Sequence, residues 1–166
     1  MSAARRSGVI LRNMTGVWLT RGDSVLLLWK TAGRVVRETW CPTAGGHFDP
    51  EELNDPLSCV LRELKEETGM EGIVPVLRYV ALRRVGEEIR QNYYYFASLA
   101  DDVPAPSAST EGILRWFALS ELPGLSMPYS ARAVLEHWTK IGRYTDALYC
   151  GAAASEGAVF TELSDF

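Results

Sequence analysis

Hydrophobic positions in the first half of the chain fall into short runs that are typical of strands. Residues 14–29 read MTGVWLTRGDSVLLLW, where two apolar runs flank the turn residues 21–23 and predict a strand pair. The second run is apolar at consecutive positions, which indicates a strand covered on both faces. Residues 31–39 are polar and basic and predict a loop. In the TWCPTAGGHF that ends at residue 48, proline and glycine interrupt regular structure.

The next pattern predicts a helix over residues 56–68. Asp55 is a good N-cap, and Pro56 suits the first helical position. Gly69 is a natural stop signal at the other end. The helical period predicts a largely apolar stripe that faces a core, formed by Leu57, Leu61, Leu64 and Thr68.

The rest of the chain alternates strands with one further helix. The predicted elements are strands over 74–85 and 92–100 joined across 86–88, a Pro- and Ser-rich loop over 101–112, a strand over 113–119, a helix over 129–141, and a short strand or two after Arg143. Internal repeats and long linkers are absent from the sequence. We therefore expect residues 1–166 to form a single domain.

Composition narrows the partners that this chain can bind. Its net charge of −4 provides no overall basic field for nucleic acid or an acidic membrane. The three cysteines, Cys41, Cys59 and Cys150, lack the paired spacing of disulfide frameworks or zinc sites. Signal-peptide and membrane-helix patterns are also missing. We expect a cytoplasmic monomer or homodimer that binds a small molecule.

Three carboxylates share one side of the first predicted helix. Glu63, Glu66 and Glu67 are spaced so that they become neighbours, and each like-charged pair costs a few tenths of a kcal/mol, about 0.2–0.5. Two interpretations are open on this spacing alone. The cluster is either a solvated face whose glutamates pair with Lys65 or Arg62, or a site for a cation such as Mg²⁺, which prefers carboxylate oxygens.

The motif around these glutamates resembles the box of the Nudix hydrolases, G-x5-E-x7-R-E-U-x-E-E-x-G-U, where U is aliphatic. Residues 62–70 read RELKEETGM and match the second half of the box at every specified position. The resemblance extends over roughly residues 14–141. It implies an α/β fold, the Nudix α/β/α sandwich with a mixed, curved sheet. The helix at 56–68 is then expected on one side of the sheet and the helix at 129–141 on the other.

The first half of the box departs from the family pattern. Gly46 and Glu52 have the usual separation, but nine residues rather than seven lie between Glu52 and Arg62. The extra residues fall in the loop 51–55, where an insertion is tolerated without disturbing the helix. We predict that this loop bulges outward and that Glu52 is a supporting residue, held by Arg62 or a backbone N–H, rather than a metal ligand.

The resemblance also implies roles for the box residues. Glu66 and Glu67 are expected as the principal ligands of Mg²⁺, with Mn²⁺ as the alternative ion. Glu63 is expected to bind the metal or to orient the attacking water. Arg62 is expected to position a carboxylate by a charge-assisted hydrogen bond. The carbonyl oxygen of Gly45 is a further expected ligand.

Residues outside the box are weaker candidates. Similar enzymes often supply a glutamate from the later loop as a base or ligand, which makes Glu111 a candidate, although an ordinary loop charge is the alternative. Lys30, Arg34 and Arg37 are either surface charges or contacts to substrate phosphates. His47 is better interpreted as a structural histidine than as a base. Cys59 is better interpreted as a small buried thiol than as a reactive one.

The sequence limits the substrate class only by excluding Nudix subfamilies whose sequence marks are missing. Nudix enzymes cleave nucleoside diphosphates linked to another group. The marks of the ADP-ribose and dinucleoside polyphosphate enzymes are missing at residues 84–88, and those of the NADH and coenzyme A enzymes are also missing. The chain then resembles the MutT-like group, which hydrolyses nucleoside triphosphates, including oxidised ones such as 8-oxo-dGTP. The alternatives are another nucleotide derivative, such as a nucleotide sugar, or a non-catalytic domain that senses nucleotides.

Overall fold

A computed structural model describes residues 8–31, 38–106, 108–154 and 157–164. The strands are β1 Ile10–Arg21, β2 Ser24–Lys30, β3 Trp40–Cys41, β4 Val76–Val85, β5 Glu88–Ser98, β6 Ala108–Ser109, β7 Gly112–Ala118, β8 Leu148–Ala154 and β9 Gly157–Leu163. The α-helices are α1 Pro56–Thr68 and α2 Tyr129–Lys140, and short 3₁₀ helices cover Pro50–Glu52, Leu119–Gly124 and Gly142–Tyr144. Within these described ranges, no helix is both long enough and apolar enough to cross a membrane.

All the described strands belong to one mixed sheet with the order β6-β7-β2-β1-β5-β4-β8-β9, and β3 pairs separately with β2. The pairs β1–β5 and β4–β8 are parallel, and the other neighbours are antiparallel. This matches the predicted order of elements. After Arg143, where a short strand or two were expected, the chain forms the β8–β9 hairpin.

A split between β1 and β2 shapes the middle of the sheet. These strands pair only from Leu19↔Leu26 to Arg21↔Ser24, next to their turn, and are not paired beyond it. The chain from β3 to His47 occupies the opening, because β3 pairs with β2 while Ala44 and His47 pair with β1. This split places the loop around Gly45 beside the end of α1.

The two helices cover opposite faces of the sheet, as predicted. Val17 and Leu19 of β1 pack in one buried cluster with α1, whereas Trp18 packs in the other cluster with α2. Successive residues of a strand point to opposite faces, so this alternation fixes one helix on each side. The Nudix α/β/α sandwich expected from the sequence is therefore confirmed.

Two strands begin earlier than the hydrophobic pattern predicted. β1 begins at Ile10 rather than at residue 14, and β5 begins at Glu88 rather than at residue 92. These extensions pair with each other in parallel, from Ile10↔Glu88 onward. Both extensions mix polar side chains with exposed apolar ones, so they do not form an apolar run. Pairing between distant segments keeps them extended.

The ends of α1 follow the predicted signals. The Asp55 carboxylate accepts a hydrogen bond from the Ser58 backbone N–H at 3.0 Å, and Pro56 takes the first helical position. Gly69 ends the helix in the left-handed conformation, with φ +74°. This conformation favours glycine because it has no Cβ.

The predicted apolar stripe of α1 is wrong in its orientation. Leu57 and Leu61 are 44% and 38% exposed, whereas Val60, Leu64 and Glu67 are buried. The helix is rotated so that its Val60 and Leu64 side chains pack with residues of β1 in one core cluster. This rotation brings the glutamates of the box towards the split in the sheet.

Candidate active site

Two glycines allow the loop in the split to approach its neighbours closely. Gly45 has φ +156°, and a Cβ atom there would overlap the carbonyl oxygen of Thr15. A Cβ atom on Gly46 would overlap the Glu63 carboxylate. The Gly45 backbone N–H donates to Glu67 Oε2 at 3.3 Å. Loop and helix therefore share a narrow space in which the helix carboxylates meet the backbone.

Arg62 connects most of the carboxylates of the site. Its Nε and one terminal N–H group donate to the two oxygens of Glu52, at 2.6 and 2.9 Å. The other terminal group donates to Glu63 at 2.9 Å and to Glu66 at 3.1 Å. The His47 carbonyl oxygen accepts a further bond at 3.1 Å. A planar guanidinium can make these bonds together because its five N–H donors have a fixed fork geometry.

Glu52 makes both of the contacts predicted for a supporting residue. Besides Arg62, it accepts a hydrogen bond from the Asp49 backbone N–H at 2.9 Å. Its side chain is buried, and the hydrogen bonds from Arg62 lower the pKa of this carboxyl to about 2. The loop leaves the site through a turn in which Asn54 has φ +69°. That Glu52 supports Arg62 instead of binding metal remains a prediction.

The environment of Glu67 disfavours a charged carboxylate, whereas that of Glu52 favours one. Burial, followed by the charges of Glu63 and Glu111, raises the pKa of this carboxyl to about 8, and Lys30 and the Gly45 N–H offset only part of that rise. Burial also raises the pKa of Glu63, although Arg62 opposes the rise. The site therefore holds a carboxyl that lacks a fully compensating cation among its described neighbours.

The structure brings Glu111 to this site through an ion pair. Its carboxylate lies 2.5 Å from Lys30 Nζ, and the preceding Thr110 N–H donates to the Glu67 carbonyl oxygen at 3.0 Å. Burial opposes the charge of Lys30, but the bond to Glu111 and the charges of both glutamates raise its pKa. Lys30 lines a cavity beside the site. Its proposed contact with phosphate remains a prediction, and Arg34 and Arg37 lie outside the described residues.

The residues fit Mg²⁺ in chemistry but are not assembled around an ion. Among the described residues, no three Asp, Glu, His or Cys side chains converge closely enough to hold a metal. Arg62 holds Glu63 and Glu66, and Lys30 holds Glu111. The carboxylate oxygens are nevertheless the donors that Mg²⁺ prefers, and this ion usually needs only one or two carboxylates from the protein. Glu67 is buried without full compensation, which is consistent with a cation site.

Nearby groups with nucleophilic or basic potential are less suited to chemistry. His47 contacts Arg62 through its backbone carbonyl oxygen and not through its ring. Burial, followed by the charge of Arg12, lowers the pKa of the His47 imidazole. Burial raises the pKa of the Cys59 thiol to about 12, which keeps it protonated. Both findings agree with the structural roles expected for these residues.

A cavity extends from the carboxylates to the α2 face of the sheet. Gly45, Lys30 and Glu67 line one end, and Asn92 and Arg83 contribute to its wall. Asn92 and Arg83 were not among the candidates predicted from the sequence. The available signal was a polar residue next to the aromatic run NYYYF, at a position where the alternation predicts an inward side chain.

Comparison with known proteins agrees with this geometry. The model of the NUDIX domain family matches residues 8–138. A search of curated proteins gave no match. Among solved structures, the MutT protein from Bacillus halodurans is 22% identical, with a TM-score of 0.66 over 92% of this chain and 95% of that one. An Ap4A hydrolase from C. elegans is 18% identical, with a TM-score of 0.65 over 81% and 99%.

A third similar structure is that of a domain in complex with ADP ribose. The NUDIX domain of Shewanella oneidensis NrtR, complexed with ADP ribose, is 16% identical, with a TM-score of 0.59 over 87% of this chain and 94% of that one. At these identities the similar structures establish the fold, and the family model establishes the family. The chain thus belongs to the Nudix family as a pyrophosphohydrolase, an enzyme that acts on nucleoside diphosphate derivatives.

Proposed function

We propose that this Nudix enzyme hydrolyses a nucleoside triphosphate, including oxidised forms such as 8-oxo-dGTP, to the monophosphate and pyrophosphate. The observation that carries the proposal is the buried Glu67 carboxyl, which lies at one end of a cavity together with Lys30. The acidic end of this cavity suits metal-bound phosphates, and its mainly apolar remainder suits the rest of a nucleotide. The fold shared with a protein named MutT also favours this substrate class.

The proposed ion is Mg²⁺, with Mn²⁺ as the alternative. Glu66, Glu67 and Glu63 would hold it, together with the carbonyl oxygen of Gly45. When bound, a divalent ion supplies an activated water and neutralises charge on the diphosphate leaving group. The same carboxylates repel one another without it, which gives the chain a physical reason to bind a cation.

The chain's own residues would orient the reacting groups. Arg62 holds Glu63 and Glu66 in place with hydrogen bonds of 2.9 and 3.1 Å, and Glu52 in turn fixes the Arg62 fork. Glu63 or Glu111 would accept a proton from the attacking water. Lys30 lies 2.5 Å from Glu111 and holds that carboxylate beside the site by an ion pair.

Substrate phosphates would meet the basic residues near the cavity. Lys30 is on the cavity wall, and its ammonium could be shared between Glu111 and a phosphate oxygen. Arg34 and Arg37 are proposed for the same role from their place in the sequence. These contacts would bind the leaving group and support catalysis by positioning it.

A hydrolysis screen with product identification tests the proposal. Nucleoside triphosphates, 8-oxo-dGTP, a nucleotide sugar, ADP-ribose and Ap4A are each incubated with enzyme and Mg²⁺, and the products are separated by chromatography. Pyrophosphate plus nucleoside monophosphate from a triphosphate is the expected result. Sugar phosphate plus monophosphate from the nucleotide sugar, with triphosphates left intact, would contradict the proposed substrate and favour the alternative.

A further inference from the structure

The cavity wall opposite the carboxylates carries two hydrogen-bond donors without partners. Asn92 is 7% exposed, and its Nδ2 atom has no hydrogen-bond partner among the described residues. The Nε atom of Arg83 is also buried and unpartnered in the same part of the chain. Both residues line the cavity. Buried polar groups are nearly always satisfied, so these donors require an explanation.

The register of the sheet places the two donors side by side. Asn92 of β5 pairs with Ala81 of β4, and Arg83 is two residues further along β4, on the same face. The Arg83 guanidinium lies 5.4 Å from the centre of the Tyr129 ring, on the helix that covers this face. In the described part of the chain, no carboxylate forms an ion pair with Arg83. Its charge is available to a ligand.

The remaining lining distinguishes between kinds of ligand. Most of the other residues on this side of the cavity are apolar or aromatic: Met14, Leu28, Pro42, Tyr94, Pro128 and Ala131. An apolar pocket with a few placed donors suits a flat heteroaromatic ring better than a strongly hydrated phosphate. The far end of the cavity therefore has the character of a site for a base.

We propose that Asn92 and Arg83 recognise the base of the substrate and select a 6-oxopurine, such as guanine, over adenine. Guanine presents two adjacent acceptors on one edge, O6 and N7, and arginine donates to this pair in the commonest specific contact to guanine. 8-Oxoguanine keeps O6 but carries a hydrogen on N7, so the inference concerns the unoxidised base. Adenine presents an amino group in place of O6, and that group would face the donors. The inference rests on the proposed function, because it requires the phosphates to lie at the Glu67 end.

Binding of nucleoside monophosphates without divalent metal tests the inference separately from hydrolysis. Dissociation constants for GMP, IMP and AMP are measured by calorimetry on the wild type, Asn92→Leu and Arg83→Met. IMP keeps O6 and N7 but lacks the 2-amino group, so it should bind as GMP does. The wild type should prefer GMP and IMP over AMP by about tenfold or more. Each variant should reduce this preference to about threefold or less.

Arg84→Met is the matched control for Arg83→Met. Arg84 is the next residue of the same strand, points to the opposite face, and is exposed with a hydrogen bond to the Gly86 carbonyl oxygen. This variant should keep the wild-type preference. Thermal unfolding separates recognition from structure: removing an unpartnered buried amide should leave the melting temperature of Asn92→Leu equal or higher. If Asn92→Leu does not fold, Asn92→Ala takes its place.

Several outcomes would overturn the inference. Equal affinity of the wild type for GMP and AMP would overturn it. The absence of binding of any monophosphate would also overturn it. So would an unchanged preference for GMP over AMP in both Asn92→Leu and Arg83→Met. Hydrolysis of all purine triphosphates with equal kcat/KM would overturn base selection while leaving the proposed function intact. A retained preference for GMP in a protein that hydrolyses no triphosphate would instead contradict the proposed function alone.

Discussion

Two glutamates of the same motif have opposite electrostatic environments. Arg62 holds the pKa of Glu52 near 2, whereas burial and neighbouring carboxylates raise that of Glu67 to about 8. The sequence predicted that Glu52 would be held by Arg62 or by a backbone N–H, and the structure contains both contacts. The burial of Glu67 was not predictable, because it depends on how α1 is rotated against the sheet.

Glu67→Gln should not destabilise the protein in the absence of metal. The change keeps the shape of the side chain and removes an ionisable carboxyl whose charged form is disfavoured by burial and by Glu63 and Glu111. Thermal unfolding in the presence of a chelator should give a melting temperature equal to or above that of the wild type. Added Mg²⁺ should raise the melting temperature of the wild type more than that of the variant. A large loss of stability in the chelator would show that the Glu67 carboxylate is needed for packing.

Glu52→Gln should lower stability in a pH-dependent way. The pKa of Glu52 is about 2 in the fold, against an ordinary value of 4.5, so its ionised form stabilises the fold above pH 4.5. That contribution should disappear as the pH falls from 4.5 towards 2. At pH 7 the variant should lose about 1–2 kcal/mol in the free energy of unfolding, after allowance for solvent screening. Denaturant titrations at pH 7 and pH 3 should show the smaller difference between wild type and variant at pH 3.

Kinetics of the same variant test the supporting role of Glu52. Glu52 contacts Arg62, and we predict that it does not bind the ion, so Glu52→Gln should reduce kcat less than Glu67→Gln does. A reduction as large as that of Glu67→Gln, with the fold intact, would indicate that Glu52 is a metal ligand.

At the scale of helices and strands, residues near the ends of α1 predicted those ends correctly. The face that α1 buries was predicted wrongly. The cap at Asp55 and the stop at Gly69 are local, and both hold in the structure. The leucines at 57 and 61 predicted the wrong buried face, because the contact between α1 and β1 decides the rotation. The first four residues of β1 and of β5 were missed because only their mutual pairing makes them strands.

The inserted turn before α1 gives a prediction at this scale. Asn54 has φ +69°, a conformation that is unfavourable for most side chains and is favourable for glycine. Asn54→Ala should therefore lower the free energy of unfolding by about 1 kcal/mol, whereas Asn54→Gly should leave it unchanged or higher. Neither variant should alter kcat, because Asn54 makes no contact with the carboxylates in the described hydrogen bonds. Equal stability of Asn54→Ala and the wild type in denaturant titration would contradict the strained turn.

At the scale of the whole molecule, the order of elements predicted the sandwich but not the split in its sheet. Pairing of β1 with β5, instead of continued pairing with β2, is a choice between distant segments that local patterns do not encode. The split admits the loop with Gly45, and this loop joins the carboxylates to the cavity. The cavity could therefore be found only in three dimensions, although the alternation along residues 92–96 already marked Asn92 as a polar residue that points inward.

The central claim is that the carboxylates of α1 and a divalent ion hydrolyse a nucleoside triphosphate. The most direct measurement is kcat for one triphosphate as a function of Mg²⁺, for the wild type, Glu66→Gln, Glu67→Gln and the control Glu71→Gln. Glu71 is an exposed glutamate that pairs with Lys65 at 2.7 Å, away from the cavity. Wild type and Glu71→Gln should be inactive with chelator and equally active with Mg²⁺. Glu66→Gln and Glu67→Gln should be slower by about 10²-fold, or about 2.7 kcal/mol in the barrier, at saturating Mg²⁺. Wild-type rates in both Glu66→Gln and Glu67→Gln, or full activity in chelator, would contradict the claim.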